Sequence, residues 1–143
     1  MIVPKNRPTW DEYFLEFARV ASSRSTCPRA HVGSLVVVEN RIIATGYNGS
    51  APGQPHCTDI GCQQEDGHCQ QTLHAEVNAI GQCAQFGVPC RGATLYIYFE
   101  KLTSGNYPEP IPGCRECNKV IRAAAIHRVV TLHGDHNIAV FNL

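Results

Sequence analysis

"HVGSLVVVENRIIATGYNG", residues 31–49, decides the fold. Its two β-rich runs meet at Glu39-Asn40-Arg41, a pattern that predicts a β-hairpin. Upstream, "TWDEYFLEFARVASS" carries Trp10, Phe14, Phe17, Ala18 and Ala21 at helical spacing, with Thr9 as N-cap and acidic residues in the first turn. Downstream, residues 50–71 hold Gly, Pro, Cys and His without a sustained period and read as a long loop, and long loops in compact domains are usually functional. "AEVNAIGQCAQFG" then sets Val77, Ile80 and Ala84 on one face and stops at Gly87, predicting a second helix. "ATLYIYF" reads as a strand, residues 100–113 as a loop, "CRECNKVIRAAAI" as a third helix, and "RVVTL" and "IAVFN" as closing strands. Strands alternating with helices after an initial hairpin predict an α/β sandwich with a mixed central sheet.

The 143 residues fit one domain, 1–143, long enough to bury a single core. Lys plus Arg equals Asp plus Glu at 12 each, so the chain lacks the global field that long nucleic-acid duplexes attract, and a small ligand is expected instead. "MIVPKNRPTWDEYF" has no signal-peptide run, and no stretch reaches the roughly 18 apolar residues of a membrane span, so the protein is expected to be soluble and cytoplasmic, without membrane contact. In a reducing compartment the eight cysteines point to metal sites rather than a disulfide scaffold.

Two clusters carry chemistry. Hydrolytic zinc needs three protein ligands and one open position, and His74, Cys114 and Cys117 supply an imidazole and two thiolates. Both groups fall at predicted helix starts, where unpaired N–H groups and the helix dipole favour thiolate. Cys114 and Cys117, three apart, share one side of their helix and can grip one ion. A CxxC alone also suits a redox pair or half of a structural zinc site. His74-Ala75-Glu76 tips the balance: Glu76 stands near the metal without binding it, placed to take a proton from zinc-activated water and pass it to a ring nitrogen and a leaving amine. The combination resembles H-x-E followed by P-C-x-x-C, the signature of zinc nucleobase deaminases.

The chain resembles the cytidine/deoxycytidylate deaminase superfamily, and most closely bacterial deoxycytidylate (dCMP) deaminases. "RSTCPRAHVGSLVV", "RIIATGYNGSAPGQPHC", "DGHCQQTLHAEVNAI", "GATLYI" and "GCRECNKVI" occur in that family's order. The resemblance implies a three-layer α/β/α sandwich, His74, Cys114 and Cys117 as zinc ligands, Glu76 as proton shuttle, and dCMP converted to dUMP plus ammonia. It also implies a homo-oligomer, often a hexamer, and dCTP and dTTP as effectors. Two features depart from the family pattern: Gly113 separates Pro112 from Cys114, and residues 100–113 form a longer loop, with "YFEK" in place of the usual residues.

A pocket for a nucleotide must read a base, hold a sugar and neutralise phosphate. Asn48 in "GYNG" offers a donor and an acceptor for base or sugar, though Asn-Gly is also a turn signal. Arg24 and Arg29 flank Cys27 and are candidate phosphate partners, since guanidinium binds phosphate in bidentate fashion. Val32 is a candidate for the pocket floor, and Ala75 leaves room for a pyrimidine. Asn78 reads as a helix-face polar group or a support for the site. Cys27, Cys57, Cys62 and Cys69, with His68 and His56 in reserve, suit a second, structural zinc that would order a loop with few apolar residues. Cys83 reads as a small core residue, and His127, His133 and His136 as surface histidines.

The same motifs also suit deaminases of cytidine, guanine, a riboflavin precursor or tRNA adenosine, the last disfavoured by the absence of a basic balance. A second reading of the same residues is a non-enzymatic, zinc-stabilised binding module.

Overall fold

Thr9 opens the first helix with a capping box: its hydroxyl accepts from the Glu12 N–H, and the Glu12 carboxylate accepts from the Thr9 N–H. That pairing satisfies two donors that a helix start leaves free. In the computed structural model of the chain, which describes residues 6–66 and 68–143, this helix is α1, Trp10–Ser22. Residues 1–5, which belong to the stretch read as lacking a signal peptide, lie outside the described residues, as does Gly67.

The hairpin follows as β1, Ala30–Val38, and β2, Arg41–Tyr47. Glu39 and Asn40 turn it with φ of 50° and 58°, the left-handed pair of a two-residue hairpin turn. A bulge between Val36 and Val37 shifts the register, so that Val36 faces Ala44 and Val37 faces Ile42. Then come β3 (Gly49–Ser50), α2 (Cys57–Ile60), β4 (Gln64–Glu65), β5 (His68–Cys69), β6 (Thr72–Leu73) and α3 (Ala75–Phe86). The chain closes with β7 (Thr94–Lys101), α4 (Arg115–Ala123), β8 (Arg128–His133) and β9 (Ile138–Asn142).

Five strands form the main sheet in the order β2-β1-β7-β8-β9. Only β7 and β8 run parallel, joined by the α4 crossover; the other neighbours are antiparallel, so the sheet is mixed. Alternation along the strands sends side chains to two faces. Leu35, Val37, Tyr96, Tyr98 and Val130 pack on Phe14, Leu15 and Ala18 of α1. Val36, Leu95, Ile97 and Val129 pack on Ala79 and Cys83 of α3 and on Cys117 and Ile121 of α4. The result is a three-layer α/β/α sandwich. Both helical layers press close to the hairpin at glycines: a Cβ at Gly33 would stand 2.0 Å from the Ala18 carbonyl oxygen, and one at Gly46 would stand 2.4 Å from that of Ala75.

The buried stripe of α3 differs from the predicted one. Ala75, Glu76, Ala79 and Cys83 face inward, whereas Val77 and Ile80 are half-buried and Ala84 is exposed. Small residues win the inner face because α3 lies directly on the β2 backbone at Gly46. The segment read as one loop is also more ordered than expected, since β3 pairs with β6 and β4 with β5. Among the described residues, no helix is long and apolar enough to cross a membrane.

Candidate active site

α3 and α4 deliver the chemistry from their first turns. His74 is the N-cap of α3 and Cys114 the N-cap of α4, with Glu76 and Cys117 one turn in. The His74 Nδ1 lies 3.1 Å from the Cys117 sulfur and 3.5 Å from that of Cys114, and the Cys114 sulfur accepts from the Cys117 N–H at 3.5 Å. All three ligand atoms fall within 4.8 Å of one another, and no other such group of three occurs among the described residues. Gly113 makes the bend before Cys114 at φ +90°; a Cβ there would come within 3.2 Å of the Cys117 Cβ and 3.4 Å of a Glu76 oxygen. The glycine inserted before the CxxC therefore fits the turn it occupies.

The donor set fits zinc. One imidazole nitrogen and two sulfurs at contact distance make the three-ligand arrangement of hydrolytic zinc sites. Burial pushes the Cys117 thiol far up, and the neighbouring Glu76 and Cys114 push it further. A thiolate at that position needs a cation beside it, which inverts the local balance.

A cavity of about 610 Å³ opens beside this group, and His74, Ala75, Glu76 and Cys114 form part of its lining. Glu76 is only 6% exposed, yet it is part of the lining. Val32 and Arg29 also line the cavity, with Lys101 nearby, whereas Arg24 is exposed and stands outside the lining. Asn48 reaches the cavity with its side chain already engaged: its Oδ1 accepts from the Val32 N–H at 2.8 Å and its Nδ2 donates to the Ala30 carbonyl at 2.9 Å. It holds the start of β1 in place and keeps one donor and one acceptor position in reserve. Asn78 stitches α3 to β2 by donating to the Tyr47 carbonyl at 2.9 Å.

The second cysteine cluster is looser. The Cys57 and Cys69 sulfurs meet at 3.5 Å, the Arg29 guanidinium approaches the Cys62 sulfur at 3.9 Å, and the Cys27 sulfur accepts from the Arg29 N–H at 3.4 Å. Among the described residues, no three of these side chains bring ligand atoms together as the first group does. Burial raises the Cys57 thiol to about 11, with Cys69 adding to the shift. Burial also works to raise Cys69, but hydrogen bonds from Thr72 and from the backbone of Gln71 and Thr72 outweigh it and bring that thiol down to about 6. His68 lies over His74, ring centroids 6.2 Å apart, at the cavity edge. Cys83 is buried in the core, its thiol raised by burial to about 11.

Residues 8–133 match the family model described as the cytidine and deoxycytidylate deaminase zinc-binding region. The chain belongs to the cytidine and deoxycytidylate deaminase family. It is 45% identical over 123 residues to ComE operon protein 2 of Bacillus subtilis, covering 86% of this chain and 59% of that protein. It is 35% identical over 136 residues to the deoxycytidylate deaminase of Mycobacterium phage D29, covering 87% of this chain and 95% of the phage protein. The dCMP deaminase of cyanophage S-TIM5, solved in complex with dCMP and dUMP, superposes with a TM-score of 0.70 at 28% identity over 90% of this chain and 84% of that one. The chain spans about three fifths of the length of its Bacillus relative. The family model is that of a zinc-binding region, and His74, Cys114 and Cys117 are the candidate metal group among the described residues.

Several residues around this cavity escaped the sequence reading. Lys101 and Thr131 line it, and so does His133, which is 6% exposed and not the surface histidine expected. "LHGDHN" reads as a polar loop, but His133 is the last residue of β8, paired with Phe99, and its alternation turns it inward. An inward-pointing parity counted from Val129 was the available signal.

Proposed function

We propose that the chain is a zinc-dependent hydrolase that deaminates a cytosine nucleotide, dCMP to dUMP plus ammonia. The observation that carries this reading is the convergence of one imidazole and two thiols, with Glu76 beside Cys117, in the lining of a nucleotide-sized cavity. His74, Cys114 and Cys117 would hold the ion. Zinc bound there would supply Lewis acidity, which lowers the pKa of a water to about 7. Glu76 would take a proton from the water whose oxygen bonds to C4, deliver it to N3 of the ring, and then carry the second water proton to the exocyclic nitrogen, so that the C4–N bond breaks, ammonia leaves and C4 keeps the oxygen as its carbonyl. Ala75, with no bulk beyond Cβ, leaves space for the pyrimidine between the imidazole and the carboxylate. Arg29 and Lys101, which also line the cavity, supply positive charge for the phosphate.

The reading extends to two coarser features. Cys57, Cys62 and Cys69, with Cys27 or His68, form a second, structural zinc site; the Cys57–Cys69 contact supports it. Trp10, Tyr13, Phe17 and Val20, exposed along α1, support a homo-oligomer.

The test is turnover of dCMP, CMP, deoxycytidine and dCTP, followed by loss of cytosine absorbance, with zinc measured on the same sample. The account expects dCMP to be the best substrate and two zinc ions per chain. Preference for an unphosphorylated nucleoside overturns the phosphate role of Arg29 and Lys101, and one zinc per chain removes the second site. Adding dCTP or dTTP to the same assay reads regulation directly.

A further inference from the structure

Residues 107–112 read Tyr-Pro-Glu-Pro-Ile-Pro, with Pro108, Pro110 and Pro112 at every second position. Each proline fixes its own φ at about −65° and drives the residue before it to extended backbone, which restricts Tyr107, Glu109 and Ile111 in turn. The segment is tied at both ends. The Tyr107 hydroxyl accepts from the Lys101 N–H at 3.2 Å, and its ring packs against His133 with centroids 5.7 Å apart. At the other end the Pro112 carbonyl accepts from the Asn118 amide at 3.2 Å. Residues 107–112 are therefore a stiff strap within the long loop, and its Pro108, Glu109 and Ile111 line the same cavity as Glu76.

The strap sets a negative charge against a positive corner. Lys101 faces Ala30 across the β1–β7 ladder, and the Leu102 N–H donates to the Arg29 carbonyl at 3.1 Å, so the two cations in the lining stem from one place. Phe99, two residues before Lys101, faces His133 across the β7–β8 ladder, which brings His133 and Tyr107 to that corner as well. Burial holds the His133 ring below its ordinary pKa, and the charges of Asp135 and Glu109 oppose the shift, so both carboxylates act there too. Arg29 and Lys101 are half-buried, whereas Glu109 is exposed and still part of the lining. The cations thus stand inside the cavity and Glu109 on its rim. A single phosphate can rest on the cations, but a second one extends towards the rim and brings about one more negative charge to the carboxylate. A flexible loop would turn that carboxylate away; the alternating prolines keep it in place.

We infer that Glu109 is a specificity-determining residue that restricts the cavity to nucleoside monophosphates by repelling the second phosphate of a diphosphate. This rests on the reading of the chain as a deaminase of cytosine nucleotides.

The test measures the affinities of dUMP and dUDP by calorimetry on zinc-loaded wild-type, Glu109→Gln and Glu109→Asp proteins, with dCMP turnover followed on the same samples. In about 0.01 M salt the wild type prefers dUMP, Glu109→Gln lowers the preference for dUMP over dUDP by about 3–10-fold, and Glu109→Asp keeps it. In about 1 M salt, where charges are screened beyond about 3 Å, the wild-type and Gln proteins converge. A merely structural role for Glu109 would weaken both ligands alike, without that salt dependence. Wild-type and Gln proteins with the same preference at low salt, a difference between them that survives high salt, or dUDP binding to neither, overturns the inference and leaves the deaminase reading intact. Wild-type protein that binds dUMP but does not deaminate dCMP overturns the deaminase reading alone, and failure to bind dUMP overturns both.

Discussion

The two cysteine clusters use the same ligand types and differ in what carries them. His74, Cys114 and Cys117 sit on the first turns of α3 and α4, helices of 12 and nine residues packed on the sheet, and their ligand atoms converge within 4.8 Å. Cys57, Cys62 and Cys69 sit on a four-residue helix, two-residue ladders and the turns between, and only Cys57 and Cys69 touch. Packed helices assemble a site before any ligand arrives, whereas a loop short of apolar residues depends on the ligand for its order.

That contrast can be broken at several points. Removing one ligand from each cluster has the largest expected effect. Cys117→Ser abolishes deamination and lowers zinc by one ion per chain, with the fold retained. Cys57→Ser slows turnover far less and instead raises protease cleavage between residues 50 and 71, as expected where local order depends on few contacts. Equal losses in the two variants would remove the distinction.

Gly46 tests the packed side. A Cβ there meets the Ala75 carbonyl at 2.4 Å and the Ala79 nitrogen at 2.6 Å, both backbone atoms of α3 that cannot step aside alone. Gly46→Ala is expected to cost about 1–3 kcal/mol in urea unfolding and to weaken zinc retention, because α3 carries His74. Unchanged stability and zinc affinity would show that α3 does not need this close approach.

The smallest effect lies on the opposite face. Asp11 of α1 accepts from the Arg128 guanidinium at 2.7 and 3.0 Å and from the Tyr96 hydroxyl at 2.6 Å. Arg128 holds the Asp11 carboxyl below its ordinary value despite partial burial. The stabilisation is therefore present in full above the unfolded-state value, about 3.9, and is lost as pH falls through the lower folded-state value. With both partners about one-third exposed, Asp11→Asn should cost about 1 kcal/mol or less at pH 7 and nothing at low pH. A difference in unfolding free energy that persists at pH 2 would refute this assignment.

Much of this was legible in the sequence where local chemistry dictates structure. The N-cap at Thr9, the turn at Glu39-Asn40-Arg41 and the helix starts at His74 and Cys114 are short-range signals, and each appears where expected. The inner face of α3 was not legible, because Val77 and Ile80 outrank Ala75, Ala79 and Cys83 in hydrophobicity while Gly46 selects for small side chains. The β3–β6 and β4–β5 ladders are two residues long, too short to leave a periodic pattern. His133 was hidden by its polar neighbours, since only the strand's parity reveals that it points inward.

Turnover of dCMP by zinc-loaded Glu76→Gln protein tests the central claim most directly. The account predicts zinc retained at His74, Cys114 and Cys117, with kcat lowered by about 10²–10⁴-fold through loss of the proton carrier. A fully zinc-loaded variant that deaminates dCMP at the wild-type rate would contradict it.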